Sequence, residues 1–192
     1  MSIAIPPKLA NTHGVLCVDT LSKDICNKII NLHKVSHHLK GRVQEPISKG
    51  ADYRKIISIR QVDCWVIDES HEWIDQLLVD KAVRANETFD YNMAGLLERP
   101  QLLRYNAPSI GYDWHTDIGS GDASTRKISC SILLNEEFKG GDLEFFSSGI
   151  QKIEMNKGDV VCFSSFMPHR VTRVEKGFRW ALVCWFSGSP FK

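Results

Sequence analysis

From about residue 90 the sequence breaks into short alternating apolar runs, and this rhythm constrains the fold more than any other feature of the chain. The runs fall at 101–105, 111–115, 127–134, 142–146, 150–154, 159–163, 169–174 and 179–186. Turn-forming clusters separate them: Asn106-Ala107-Pro108-Ser109, Gly119-Ser120-Gly121-Asp122, Lys139-Gly140-Gly141, Ser147-Ser148-Gly149, Asn156-Lys157-Gly158 and Glu175-Lys176-Gly177. Many short strands at regular spacing with glycine-rich turns make a sandwich or barrel.

The first half has a different period. A short extended piece at 14–18 leads to Asp19-Thr20-Leu21-Ser22, whose side chains can cap a helix. Leu21, Ile25, Ile29 and Leu32 then recur at helical spacing, which predicts an amphipathic helix over about 20–38, stopped by Gly41. His33, His37 and His38 near its end read as polar residues at a helix C-terminus rather than as a metal site. Residues 40–56 carry no apolar period and form a loop, a candidate lid together with the 119–124 turn. A strand is expected at 57–67. Asp68-Glu69-Ser70 caps a second helix over about 71–89, with Trp73, Leu77 and Ala85 on one face beside Ile74, Leu78 and Ala82. The expected class is therefore α+β, mainly β: a jelly roll with N-terminal helices on one outer face. At 192 residues the chain reads as a single domain, with about 1–90 as support and about 90–188 as core.

Charge excludes some partners. Lys plus Arg (24) nearly balances Asp plus Glu (23), and no long basic run occurs, so neither a nucleic-acid surface nor a membrane surface is expected. The start lacks the pattern of a signal peptide, and no window approaches a membrane-spanning length. Cys17, Cys26, Cys64, Cys130, Cys162 and Cys184 are scattered, never as Cys-x-x-Cys, and most sit among apolar neighbours. They read as reduced packing residues of a cytoplasmic protein.

The chemistry concentrates at 112–117, Tyr-Asp-Trp-His-Thr-Asp. His115 and Asp117 are two apart, so on a strand both face one side. His169 follows much later. Two histidines and one carboxylate fill one face of an octahedral ferrous ion and leave positions open, whereas a structural zinc site is closed by four ligands, usually including cysteine. Each residue has a plainer reading: Asp117 as a turn cap, His169 as a buried hydrogen-bonded histidine, Arg179 as a surface ion-pair partner. All fall at strand edges in a coherent order, which favours the site. Arg179 opens an apolar strand on which it shares a face with Ala181, Val183 and Trp185. A buried arginine needs an anion, and its planar fork matches a carboxylate.

The chain resembles the Fe(II)- and 2-oxoglutarate-dependent dioxygenases, specifically the prolyl 4-hydroxylase-like branch. The resemblance is carried by Arg104-Tyr105-Asn106, Tyr112 to Asp117, Arg126 to Asn135, Gly140-Gly141-Asp142-Leu143-Glu144-Phe145, Gly158-Asp159 with Phe163, His169-Arg170-Val171, and Gly177 to Leu182 with Trp185. It covers about residues 90–188. It implies a double-stranded β-helix, with His115, Asp117 and His169 as Fe(II) ligands and 2-oxoglutarate chelating the iron. Arg179 would pair with the far carboxylate of the cosubstrate and Tyr105 would help to hold it. Trp185 matches an aromatic near the metal, Tyr112 a position close to substrate, and Leu133 and Leu143 further pocket positions. Some relatives carry a tyrosine where this chain has Leu133. Asp113, Trp114 and Arg170 are either substrate contacts or exposed strand residues.

The implied activity is hydroxylation of a substrate C–H bond with O2, releasing succinate and CO2, with ascorbate as a stimulant. A peptidyl proline in a peptide or protein is the expected substrate, and a free amino acid or small metabolite the alternative. A jelly-roll metal-binding protein without activity is the non-enzymatic reading.

Overall fold

The computed structural model describes residues 14–39 and 61–190. The expected loop at 40–56, Gly41 and the first part of the expected 57–67 strand lie outside the described residues. In chain order the strands are β1 (Val15–Thr20), β2 (His37–Leu39), β3 (Asp63–Val66), β4 (Met93–Gly95), β5 (Gln101–Asn106), β6 (Tyr112–His115), β7 (Arg126–Leu133), β8 (Phe138–Gly140), β9 (Leu143–Ser147), β10 (Gly149–Ile153), β11 (Asp159–Ser164), β12 (His169–Val171) and β13 (Val174–Gly188). The helices are α1 (Lys23–Asn31) and α2 (Glu72–Phe89).

Among the described residues the strands form two sheets. The larger runs β1-β11-β7-β13-β5-β3-β2, with β4 and β8 also paired to β13; the smaller runs β10-β9-β12-β6. Strand alternation divides the apolar residues between two cores. Ile128, Cys130 and Ile132 of β7 and Val160 and Cys162 of β11 face the helices, meeting Ile29, Ile74 and Leu78. Leu103, Tyr105, Val161 and Phe163 face the smaller sheet, meeting Leu143, Phe145 and Val171. The result is a jelly roll with helices on one outer face.

Ser22 caps α1, its hydroxyl accepting from the Ile25 N–H at 3.3 Å, and Leu21, Ile29 and Leu32 are buried as the spacing requires. The helix is shorter than its apolar period, however. It ends at Asn31, passes through a 3-10 turn at Leu32–Lys34, and gives way to β2. Pairing overrides propensity here: His37, His38 and Leu39 ladder onto Val66, Trp65 and Cys64. The histidine cluster serves packing. His33 Nδ1 donates to Ile30 O (2.6 Å) and its ring lies against Trp65 and Trp180, while His38 stacks on Trp65 at 4.7 Å.

In α2 the buried line is Ile74, Leu78, Ala82, Ala85 and Phe89. Trp73, expected on one face with Leu77 and Ala85, is only partly buried and lies under Lys28 Nζ at 4.0 Å. Burying a large aliphatic side chain contributes roughly 1.5–3 kcal/mol, so the helix turns the fully buried Ile74 and Leu78 toward the sheet. Asp68 caps the 3-10 turn Glu69–His71 that precedes α2, not α2 itself.

The turn expected at Glu175-Lys176-Gly177 lies within β13, which runs on through an irregular stretch paired to β8. A residue with a side chain at Gly177 would bring its Cβ within 2.3 Å of Glu137 O, and its φ is +76°. Both β8 and β4 are three residues long, too short to show an alternating pattern.

Candidate metal centre

His115 ends β6 and stands directly opposite His169 of β12 in the ladder of the smaller sheet. Asp117 is not on the strand. β6 stops at His115, and the next two residues bend so that the Asp117 and Ile118 N–H groups both donate to Ser165 O, at 2.9 and 3.1 Å. That carbonyl, rather than strand periodicity, turns the carboxylate toward the histidines. His115 Nε2 lies 3.8 Å from Asp117 Oδ1, and His169 Nε2 lies 3.6 Å from Asp117 Oδ2. The three ligand atoms fall within 4.8 Å of one another, and this is the one such group of His, Cys, Asp or Glu among the described residues.

The imidazoles are oriented for metal. His115 Nδ1 meets Asp113 O at 2.7 Å and His169 Nδ1 meets Met167 O at 3.0 Å. A carbonyl accepts only, so both Nδ1 atoms carry the proton and both Nε2 atoms present lone pairs to the centre. Ser129 Oγ donates to Asp117 Oδ2 at 2.6 Å and lies 3.0 Å from Ser165 Oγ. Burial opposes ionisation of Asp117, but His169, His115 and the hydrogen bonds from Ser129 and Trp185 outweigh it and hold the carboxyl below its ordinary range. The group is therefore an anion ready to bind a cation.

The centre opens on a cavity of about 290 Å³ between the sheets, toward which Arg179, Ala181, Val183 and Trp185 all face, as alternation requires. Arg179 is 2% exposed and sits directly across the ladder from Tyr105, its guanidinium carbon 5.6 Å from the phenol ring centre. Its Nε is buried without a hydrogen-bond partner. Burial lowers its pKa, with Tyr105 and Asp142 opposing the shift. An unpartnered buried guanidinium atom is expensive, and a ligand carboxylate would satisfy it. The donor set thus fits both iron, through a three-ligand face with open positions, and a dicarboxylate whose far end reaches Arg179.

Tyr112 and Leu143 also line this cavity, with the Tyr112 ring stacked on His115 at 3.5 Å. Leu133 is buried and is absent from the lining; Ser131, two residues earlier on the same face, takes the place beside the cavity. Trp114 and Arg170 pack together on the outer side of the smaller sheet, the guanidinium 4.7 Å from the indole centre, and Asp113 is exposed. Of the two expected lids, 119–124 contributes Gly119, Ser120 and Ala123 to the cavity mouth. Ser129, Ser131 and Arg126 were not foreseen. The serines have a signature, since polar residues at i and i+2 interrupt the apolar run of β7 on one face only. Arg126 has none.

Comparison with known proteins agrees with this geometry. The profile of the 2OG-Fe(II) oxygenase superfamily matches residues 100–187. A PKHD-type hydroxylase of Thermosynechococcus vestitus is 30% identical over 128 residues, covering 62% of this chain and 57% of that protein. One from Variovorax paradoxus is 30% identical over 122 residues, covering 58% and 53%. The chain thus spans about half the length of the curated relatives it matches. A prolyl-4-hydroxylase structure from Pseudomonas putida superposes with TM-score 0.67 at 19% identity, over 92% of this chain and 94% of that one. A prolyl hydroxylase from Trichoplax adhaerens, in complex with a peptide fragment of the hypoxia inducible factor oxygen degradation domain, gives 0.69 at 18%, over 92% and 84%. The chain thus shares its fold with solved prolyl hydroxylases, and its jelly-roll core is similar to the 2OG-Fe(II) oxygenase superfamily across residues 100–187.

Proposed function

We propose that this chain is an Fe(II)- and 2-oxoglutarate-dependent hydroxylase acting on a peptidyl proline. The observation that carries this reading is the His115–Asp117–His169 cluster opening on the same cavity as the unpartnered buried Nε of Arg179. His115, Asp117 and His169 hold the iron, and Arg179 with Tyr105 holds the far carboxylate of 2-oxoglutarate. Bound iron would supply the chemistry by which O2, as oxidant, puts one oxygen atom into an aliphatic C–H to give an alcohol and the other into 2-oxoglutarate, which leaves as succinate and CO2. The residues of the chain bind and orient. The Nδ1 hydrogen bonds fix both imidazole planes, Ser129 and Trp185 fix the carboxylate, and Leu143 and Val183 keep the cavity wall apolar. Tyr112, stacked on His115, flanks the side from which substrate approaches.

Charge supports a peptide over a free amino acid. Among the described residues the arginines lining the cavity are Arg126 and Arg179, with no lysine. Arg126 is already paired with Glu98, and Arg179 is assigned to the cosubstrate. A free amino acid would bring a second carboxylate that meets no unpaired cation, whereas a proline within a chain brings amides. The peptide held by the Trichoplax adhaerens enzyme points the same way. The proposal includes ascorbate as a stimulant and O2 as co-reactant. It also includes residues 1–90 supporting a 90–188 core in one domain, no nucleic-acid or membrane partner, and a cytoplasmic setting. The setting is supported by six thiols, none of them in a disulfide. No helix among the described residues is long and apolar enough to cross a membrane.

The test is succinate release from 2-oxoglutarate, with and without Fe(II), against proline-containing peptides and free amino acids, with mass detection of one added oxygen. Turnover should need iron and a peptide. Equal turnover on free proline would overturn the substrate assignment, and no iron-dependent succinate with any substrate would overturn the reaction class.

A further inference from the structure

We infer that Arg126 is a positioning residue for Asp117, setting the grip and geometry of metal binding without touching the metal. This rests on the metal-centre reading above. Asp117 lies beyond the end of β6 and so has no ladder to fix it. Its N–H is held by Ser165 O (2.9 Å) and its carboxylate by Ser129 and Trp185. What remains is its own carbonyl, and Arg126 Nη1 donates to it at 2.9 Å.

The same guanidinium also covers the indole that holds the carboxylate, its carbon 4.1 Å from the Trp185 ring centre. One planar group therefore fixes the backbone behind Asp117 and the ring in front of it. Its two other donor edges, Nε and Nη2, go to the two oxygens of Glu98 in the segment entering β5. The pair is largely buried, with side-chain exposures of 14% and 25%. Each of the three guanidinium nitrogens thus has a partner, so Arg126 is built as a strut rather than as an anion receptor. Lysine could not replace it, since an ammonium offers neither the flat face nor the fork.

The test uses Co(II) as a spectroscopic probe in metal-free protein, reading its dissociation constant and ligand-field bands in wild type, Arg126→Lys, Arg126→Gln and Glu98→Gln. Residues that orient ligands typically account for about 10–100-fold in metal affinity. Both Arg126 variants should bind Co(II) weaker by that factor with shifted bands. Glu98→Gln, which loosens the fork and removes nothing that faces the metal, should give a smaller shift in the same direction. If the Arg126 variants fail to fold, Glu98→Gln decides: a folded Glu98→Gln protein with wild-type Co(II) affinity and bands overturns the inference. Arg126 variants that keep wild-type Co(II) binding but raise KM for peptide would also overturn it, making the residue a substrate contact. Failure of the wild type to bind Co(II) would instead overturn the metal centre itself.

Discussion

Arg179 on β13 stands directly across the ladder from Tyr105 on β5, and both side chains face the cavity that holds the His115–Asp117–His169 cluster. Neither residue could be placed so by a loop; two central strands in register fix both. The pairing puts a planar cation and a phenol beside the same cavity as the candidate metal site. Arg179→Ala should therefore raise KM for 2-oxoglutarate by about 30-fold or more, since truncating one partner of a buried charge pair costs on the order of 2–5 kcal/mol. Arg179→Lys should lie between, keeping the charge and losing the fork. Steady-state kinetics with 2-oxoglutarate as the varied substrate checks this, and an unchanged KM in Arg179→Ala would remove Arg179 from the cosubstrate site.

Tyr105→Phe separates the ring from the hydroxyl. The phenyl ring still fills the core position beside the guanidinium, where Tyr105 is 1% exposed. Only one hydrogen-bonding group is lost, worth about 1 kcal/mol. KM for 2-oxoglutarate should rise about 5-fold, with Co(II) affinity unchanged. A loss of metal binding in Tyr105→Phe would mean that the residue serves the metal rather than the cosubstrate.

His169→Ala removes one of three ligands and leaves His115 without its opposite number on β12. Iron content after reconstitution and succinate release should both fall to background, while the melting temperature in the metal-free state changes little beyond the loss of one packed ring. Retained iron with full turnover would show that the cluster is not the catalytic metal site.

Much of this site was legible before the structure, and the reasons are physical. His115, His169 and Arg179 stand on or at the ends of strands, where a period of two ties sequence to facing direction, and their spacing carries into space. Asp117 was identified for a reason that proved incomplete: its orientation comes from Ser165 O, a contact from 48 residues along the chain. Leu133 shares a face with Ser129 and Ser131, yet β7 carries it past the cavity. Helix α1 was read too long because β2 is decided by pairing with β3, which no local period reveals. Arg126 was invisible as a site residue because its partners, Glu98, Asp117 and Trp185, come from three separate segments.

Stability should respond to acid through Asp63. This carboxylate accepts from Arg104 and Asn106 and faces His38, so it ties β2 and β5 to β3. Burial opposes its ionisation, but Arg104, Asn106 and His38 outweigh that and lower its pKa below the ordinary 3.8. A group with a depressed folded pKa contributes stability that is present above its unfolded value and lost as pH falls through its folded value. The contribution should therefore hold above about pH 4 and disappear below it. Asp63→Asn should flatten the acid limb of a denaturation-versus-pH curve while leaving a pH-independent loss at neutrality. An acid limb identical to wild type would show that Asp63 contributes no linkage.

Gly141 tests whether the cosubstrate end is sensitive to crowding from behind. Its φ is +68°, and a Cβ there would lie 2.8 Å from Arg179 Cδ and 3.0 Å from Val174 Cγ2. Gly141→Ala thus has two separable effects. The backbone conformation costs roughly 1–2 kcal/mol for a residue with a side chain, which melting experiments read directly. The contact with Arg179 displaces a guanidinium that the fold otherwise locks at 2% exposure, which kinetics reads as a raised KM for 2-oxoglutarate at unchanged Co(II) affinity. A variant that melts lower but keeps the wild-type KM would show that Arg179 accommodates the methyl group without losing the position proposed for carboxylate binding.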